Sequence, residues 1–444
     1  MTRRSVSAPA HRTRAFATLI VLLAIAIVTV ALLSLQASAF RQAAAGRETA
    51  ARVRAAWAAR AGLEAAISAM GFHAEQGESV SAFSLYNTLD TFASGRLQGA
   101  EFSVAHTFHG KLRDGVEDPH AKINVNRMSF DDLMELPGMS EDQADAILDW
   151  IDEDSIVREL GAEKGFYSQL PSPYEPRNGF IRSLPELELV AGVDPLDVRG
   201  EDWNLNGLLD PNEDDGDATW PPDDEDGALD AGWSEFITTE SIDSSLANSG
   251  EARLDLFDAD ERALQLRVKN TELLQARVIL DYANREGVRL EDLISTPLQL
   301  IAASVPGLGA PPGAVPNLTV DQIAELLGET TIADPALGPI PGRVNINTVD
   351  RRTLDFVTAI SAGLADQIIF ARDSRPEGFV SIVDLLDVVP ATALSQLSFL
   401  IDVQSNALVV TSRGRDVNSG IEVDLVATIH SSSLPIVISE LSVR

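Results

Sequence analysis

The residues whose types and spacing bear most directly on chemistry are Asp202-Trp-Asn204-Leu-Asn206-Gly207-Leu208-Leu-Asp210-Pro-Asn-Glu213. Side-chain oxygens stand at the first, third, fifth, ninth and twelfth places, glycine stands sixth, and Leu208 offers its carbonyl seventh. This is the ligand order of an EF-hand-type loop, where about six to eight oxygens surround a hard cation and glycine permits the sharp turn. The chemistry it points to is calcium binding. Pro211 and the acids beyond Glu213 open no exit helix, so the expected site is a structural calcium loop rather than half of a sensor pair. Asp224, Asp226 and Asp230 repeat the centre of the pattern around Gly227, with Pro222 and Trp233 where the end ligands should be. A second ion there would need Asp214, Asp215, Asp217 or Asp223. The alternative for the whole tract is a solvated acidic loop.

A second acidic run, Asp149-Trp150-Ile151-Asp152-Glu153-Asp154, offers paired carboxylates. Such pairs can perform acid–base work, but acids that end a helix are commonly solvated or capping. No histidine or nucleophilic serine accompanies them in a recognisable pattern, so the run reads as structural and no enzyme activity is expected. The absence of cysteine excludes disulfides, thiolate zinc sites and cysteine nucleophiles. A formal net charge of -33 over 444 residues repels phosphate backbones, which argues against nucleic acid as a partner.

Two kinds of element must position these residues. Arg3, Arg4, Arg12 and Arg14 precede an uncharged, largely aliphatic stretch from Ala15 to Phe40. About 20 such residues cross a bilayer as a helix, and the arginines before them place the N-terminus in the cytoplasm. A cleaved secretory signal is the rival reading, with Ala37-Ser38-Ala39 as its cutting site. Gln42 to Met70 is rich in alanine and free of proline, so one helix is expected to continue out of the membrane as a stalk. The other element is a sheet. Phe102, Val104, His106 and Phe108 alternate with Glu101, Ser103, Ala105 and Thr107, and Ile421, Val423, Leu425, Ala427 and Ile429 do the same near the end. Asn406–Arg413 and Leu434–Val443 are also strand-like. Strands from both ends of the chain imply a mainly helical domain inserted between them.

An internal repeat lies in that insertion. Lys122-Ile-Asn-Val-Asn126 matches Arg343-Val-Asn-Ile-Asn347, Leu133 matches Leu354, and Ala144–Leu148 matches Ala365–Ile369, at a constant offset. Each copy reads as a short strand and a helix-hairpin-helix unit. Phosphate-binding hairpins need a glycine-rich turn and basic residues. Here Gly138 is followed by Glu141 and Asp142, and Ala359 replaces the glycine in the second copy, so the units read as packing modules. Glu251 to Gly287 reads as a further helical stretch, and Pro306 to Pro316 as a flexible connector.

Arg12-Thr13-Arg14-Ala15-Phe16 resembles a prepilin peptidase site, with the cut between Ala15 and Phe16. Pilins commonly carry glutamate as the fifth residue after the cut; here that place is Ile20. Within the insertion, the DWIDED run, Gly161-Ala162-Glu163, Tyr167, Pro173-Tyr174 and Ser183-Leu184-Pro185-Glu186-Leu187 follow in order. Taken together, these features resemble the K component of type II secretion, a large minor pseudopilin that lacks the fifth-position glutamate. The resemblance implies an α+β fold with a long N-terminal transmembrane and stalk helix. It also implies a pilin-like antiparallel sheet interrupted by a large α-domain, with calcium held in that domain. It further implies a non-catalytic tip subunit that joins the I and J minor pseudopilins, is processed by prepilin peptidase with methylation, and sits single-pass in the inner membrane with its bulk periplasmic.

The expected order is a cytoplasmic leader over 1–14, the membrane and stalk helix over 15–70, and the first sheet segment over 71–120. The α-domain then spans 121–395, with hairpin units at 121–154 and 343–388 and the calcium-loop insert at 201–235, before the final strands at 396–444. The alternatives are a membrane-anchored helix-hairpin-helix DNA receptor, a type IV pilus minor pilin, and an envelope hydrolase using the acidic cluster.

Overall fold

A computed structural model describes residues 10–76, 83–108, 110–243, 246–308, 311–333, 340–358, 363–431 and 434–443. One unbroken helix, α1 (Ala10–Gln76), carries the apolar run directly into the alanine-rich stretch. After α2 (Ser84–Thr91) come β1 (Ser94–Leu97), β2 (Ala100–Phe108) and β3 (Lys111–Asp114). The insertion follows as successive units. The first holds β4 (Ile123–Asn124), α3 (Phe130–Met134), α4 (Glu141–Ile151), α5 (Lys164–Tyr167) and α6 (Pro195–Arg199), and it closes on β5 (Ile237–Thr238). The next holds β6 (Leu254–Asp255), α7 (Glu261–Arg267), α8 (Leu273–Ala283), α9 (Leu298–Ala302), α10 (Val320–Glu329) and β7 (Thr330–Thr331). The last holds β8 (Val344–Asn345), α11 (Arg351–Val357), α12 (Leu364–Asp373), α13 (Ala391–Leu397) and β9 (Ile401–Asp402). The chain then returns to the sheet as β10 (Ala407–Asp416), β11 (Glu422–His430) and β12 (Val437–Val443).

The sheet has six strands in the order β1-β2-β10-β11-β12, with β3 against β2, and all pairs are antiparallel. The fold is therefore α+β, with a pilin-like sheet interrupted by a mainly helical insertion. The stalk lies on this sheet through small residues. A Cβ at Gly414 would overlap the Ala55 carbonyl, and one at Gly62 would overlap Ser412, so glycine lets helix and strands approach closely. Leu63, Met70, Val104, Leu408, Val410 and Ile429 fill the space between them.

Three units close on a parallel two-strand pair: β4 with β5, β6 with β7, and β8 with β9. In each, an Asx side chain in the opening strand accepts from the amide two residues on: Asn124 from Asn126, Asp255 from Phe257, and Asn345 from Asn347. Ser129, Asp260 and Asp350 cap the helix that follows. The helical stretch expected over Glu251 to Gly287 holds α7 and α8, parted at Val268, and belongs to a third copy of the same unit. Its Leu264 is fully buried, as are Leu133 and Leu354 at the matching places. The expected flexible connector is also packed: Leu308 and Val315 are buried in the core of this third unit. Apolar side chains, not the prolines around them, decide that segment. Ala359 lies outside the described residues.

Candidate functional site

The longest functional surface is on α1. Every residue from Phe16 to Ala50 is exposed, and the apolar window within Phe16–Glu75 has a mean hydropathy of 3.0. Burial against the sheet starts at Ala51 and recurs at Ala55, Ala58, Ala59, Leu63 and Ala66, the spacing of one helix face. Arg54 pairs with buried Asp416 at 2.6 Å, and its guanidinium, aided by the Ser419 amide and hydroxyl, pulls that carboxyl down to about 2. The sheet therefore grips one half of the helix and leaves the apolar half free. Ala15 and Phe16 both fall inside α1, with Phe16 exposed; neither shows a break in the helix.

The sequence predicted calcium ligands at Asp202, Asn204, Asn206, Leu208, Asp210 and Glu213, and the fold brings them onto one tight loop. The carboxyl of Asp202 accepts from the amides of Asn206 at 2.9 Å and Gly207 at 2.8 Å. Glu213, twelfth in the loop, accepts from the amides of Trp203 and Asp210, both at 3.0 Å. Asp202 is 3% exposed and Glu213 1%. Burial pushes both carboxyls up, and the charge of Asp202 adds to the rise at Glu213. Asp210 receives the amide nitrogens of Asn204 at 2.8 Å and Asn206 at 2.9 Å. Gly207 has φ +69, the left-handed turn the sixth position requires. Two buried acids facing a polar loop with no salt-bridge partner among the described residues fit a divalent cation. To act as ligands, the two asparagine amides would turn to offer oxygen in place of nitrogen.

Asp224, Asp226 and Asp230 form a different arrangement. Each closes a short turn onto its own backbone, and Glu201 accepts from the amides of Asp224 and Asp230.

A further acidic group forms where the sequence predicted plain structure. Carboxylate oxygens of Asp152, Asp154 and Glu163 lie within 4.8 Å of one another. Glu163 is 4% exposed, and among the described residues neither its Oε1 nor Oδ1 of Asp152 has a hydrogen-bond partner. Burial pushes both carboxyls up. Neighbouring Asp149 is fully buried, accepts from the Arg158 amide and faces the Arg158 guanidinium at 3.4 Å. An orphaned buried carboxylate oxygen among like charges has the donor chemistry of a hard-cation site. Its sequence signal was the pairing of Asp152-x-Asp154 with Glu163 beyond a loop, and only the tertiary fold closes that distance.

The hairpin turn of the first unit shows Gly138 at φ +72, followed by Ser140, which caps α4 in a reciprocal box with Gln143. Glu141 and Asp142 occupy the first turn of α4, where a phosphate would have to approach.

The family model described as type II secretion system (T2SS), protein K matches residues 111–200. No curated protein matches the chain. A similar solved structure is the crystal structure of the GspK-GspI-GspJ complex from the enterotoxigenic Escherichia coli Type 2 Secretion System. It is 14% identical, with a TM-score of 0.40, over 90% of this chain and 99% of that one. The family match spans the first hairpin unit, where the motifs that carry the resemblance are densest, and over those residues the chain is similar to protein K of type II secretion.

Proposed function

We propose that the chain is the tip subunit of a periplasmic pseudopilus, where it nucleates or caps a filament that drives folded proteins through the outer membrane. In this reading α1 is anchored in the inner membrane with its basic end cytoplasmic. Prepilin peptidase cuts before Phe16, and the new N-terminus is methylated. The free apolar half then packs beside the helices of the I and J minor pseudopilins. The observation that carries the proposal is the division of α1: bare and aliphatic from Phe16, then clasped by its own sheet from Ala51. An apolar helix stripped of lipid needs other helices around it. The chain acts by binding, with no catalytic step.

Calcium belongs to the same proposal. Asp202, Asn204, Asn206, the Leu208 carbonyl, Asp210 and Glu213 would hold one ion; Asp152, Asp154 and Glu163 have the chemistry for another. The ion supplies the positive charge that these buried carboxylates lack. By mass action it stabilises the folded insertion.

The decisive experiment is co-isolation of the full chain with the I and J pseudopilins from detergent-solubilised membranes, with and without chelator. The expected result is a ternary complex that Ile27→Asp abolishes, because a charge in the free apolar stretch cannot pack between helices. Recovery of an equal complex from Ile27→Asp would overturn the proposal. A DNA receptor is less well supported, since the turn of the first hairpin presents Glu141 and Asp142 where phosphate would bind.

A further inference from the structure

The calcium loop does not stand free of the pseudopilin sheet. Thr107 on β2 donates from Oγ1 to the carbonyl of Asn206 at 2.8 Å, across 99 positions of sequence. Gly207 lies so close to the same threonine that a Cβ there would overlap Oγ1 and stand 3.0 Å from the threonine Cβ. Leu208 forms a parallel bridge with Gly110, at the turn between β2 and β3. The fifth, sixth and seventh places of the cation loop are thus the ones that touch the sheet. From the inside, the carboxyl of Asp202 holds the amides of the fifth and sixth places. On the far side, β2 pairs with β10, and its Phe102 and Val104 sit against α1 at Gly62. A contiguous path of hydrogen bonds and packed atoms runs from the first ligand to the stalk.

We propose that a divalent cation in the 202–213 loop locks the inserted domain onto the β2–β3 hairpin, with Thr107 and Gly110 as the docking points. This rests on the calcium reading of the loop. Residues 206–208 serve as both ligand bearers and docking residues, so they cannot loosen in one role and stay ordered in the other. Without the ion, Asp202, Asp210 and Glu213 place like charges around the loop, opposed by two asparagine amides, its own backbone and the Thr107 and Arg199 contacts. The loop then opens more often, and the hairpin loses its partner. With the ion, the fifth and seventh places are fixed and the hairpin is held. The coupling is reciprocal: docking on Thr107 must tighten the ion by the same factor by which the ion tightens docking. Cation occupancy thereby sets how rigidly the insertion is carried on the stalk helix.

The test uses the full chain in detergent micelles and two readouts, a calcium isotherm and amide exchange across residues 100–114. In the wild type, calcium should slow hairpin exchange about tenfold relative to chelator, within the usual range of coupled sites. Thr107→Val keeps the shape and removes the donor. It should weaken calcium binding by about five-fold and erase most of the calcium-dependent protection of the hairpin. Thr107→Ser, which restores the hydroxyl, should restore both. Normal calcium binding with hairpin exchange unchanged by calcium overturns the inference and leaves the loop site intact. A wild-type isotherm that shows no calcium binding overturns the site reading itself, and the coupling with it.

Discussion

The first and last hairpin units are built on one framework and differ in what they place upon it. In the first, Asn126 donates to the Ile181 carbonyl at 3.0 Å and accepts from its amide at 2.7 Å. In the last, Asn347 does the same with Phe379, at 2.9 and 2.8 Å. Asn124 reaches Ser241 from one opening strand, and Asn345 reaches Ser405 from the other. Asp145 and Asp152 recur as Asp366 and Asp373, but the acids around them do not repeat. Where the first unit buries Asp149, the last exposes Phe370, and where the first has Asp154, the last has Arg375, paired with Asp387. Buried amide clasps therefore define the fold of the unit, and the acid cluster is an addition that the fold does not require. Only the first unit also carries the long acidic excursion before its closing strand. The third unit shows the limit of the framework. It keeps the Asx turn at Asp255 but has Phe257 where the clasping asparagine would be.

The largest expected effect tests the shared clasp. Asn347→Ala leaves the amide and carbonyl of Phe379 and the carbonyl of Val403 unpaired in a buried place. Each orphaned group costs about 1–3 kcal/mol, so a loss of about 3–4 kcal/mol is expected with partial rehydration. Asn126→Ala, in a less buried setting, should cost about 2 kcal/mol. Denaturant titration of the solubilised chain, followed through buried Trp150 and Trp233, measures both. If only one variant is destabilised, the two clasps are not equivalent.

Removing calcium should separate the units. At a calcium concentration about a hundred times Kd, ligation contributes about 2.7 kcal/mol, which chelator withdraws. Amide exchange should accelerate at 202–213 and stay unchanged at 344–347, since the last unit has no comparable acids. Uniform acceleration across both would show that the ion, if bound, stabilises the insertion globally.

Glu240 offers a finer comparison, because the last unit has Gln404 at the matching place after its closing strand. Burial, with Glu117 and Glu440 nearby, pushes the Glu240 carboxyl up to about 7, against the moderating effects of Lys122 and a Thr428 hydrogen bond. Between the ordinary glutamate range and pH 7, the fold retains a proton that the unfolded chain has released. Stability from this group is therefore full below that range and falls as pH rises to about 7, by about 2 kcal/mol after allowance for partial solvent contact. Glu240→Gln, which copies the last unit, should remove that slope and raise stability at pH 8. Identical pH profiles for variant and wild type would refute the assignment.

Much of this architecture is legible in the residues. Unbroken alanine and aliphatic sequence specifies α1, and the alternation at Phe102–Phe108 and Ile421–Ile429 specifies sheet strands, because helix propensity and period-two burial are local properties. The repeat Lys122–Asn126 with Arg343–Asn347 is visible because asparagine is needed twice, for the turn and for the clasp. The third copy leaves no matching motif in the sequence, because Asp255 and Phe257 replace those asparagines while the backbone keeps the same course. Two-residue parallel strands such as β4 and β5 leave no periodic trace; long-range pairing alone defines them. The same holds for Glu163, whose role among Asp152 and Asp154 exists only after α4 and the loop beyond it have folded together.

The smallest expected effect tests whether the acids are indeed additions. Phe370 is 76% exposed on α12, so Phe370→Asp should change stability by no more than about 0.5 kcal/mol, as for most surface substitutions. The reverse change, Asp149→Phe, meets a closed site: Gly161 is packed against the Asp149 carboxyl, and the Arg158 amide would lose its acceptor. Overpacking and an orphaned amide together should cost about 2–4 kcal/mol. A large loss on Phe370→Asp would mean that the last unit's apolar surface is covered in the folded chain, and the contrast between the two units would then lie in burial rather than in charge.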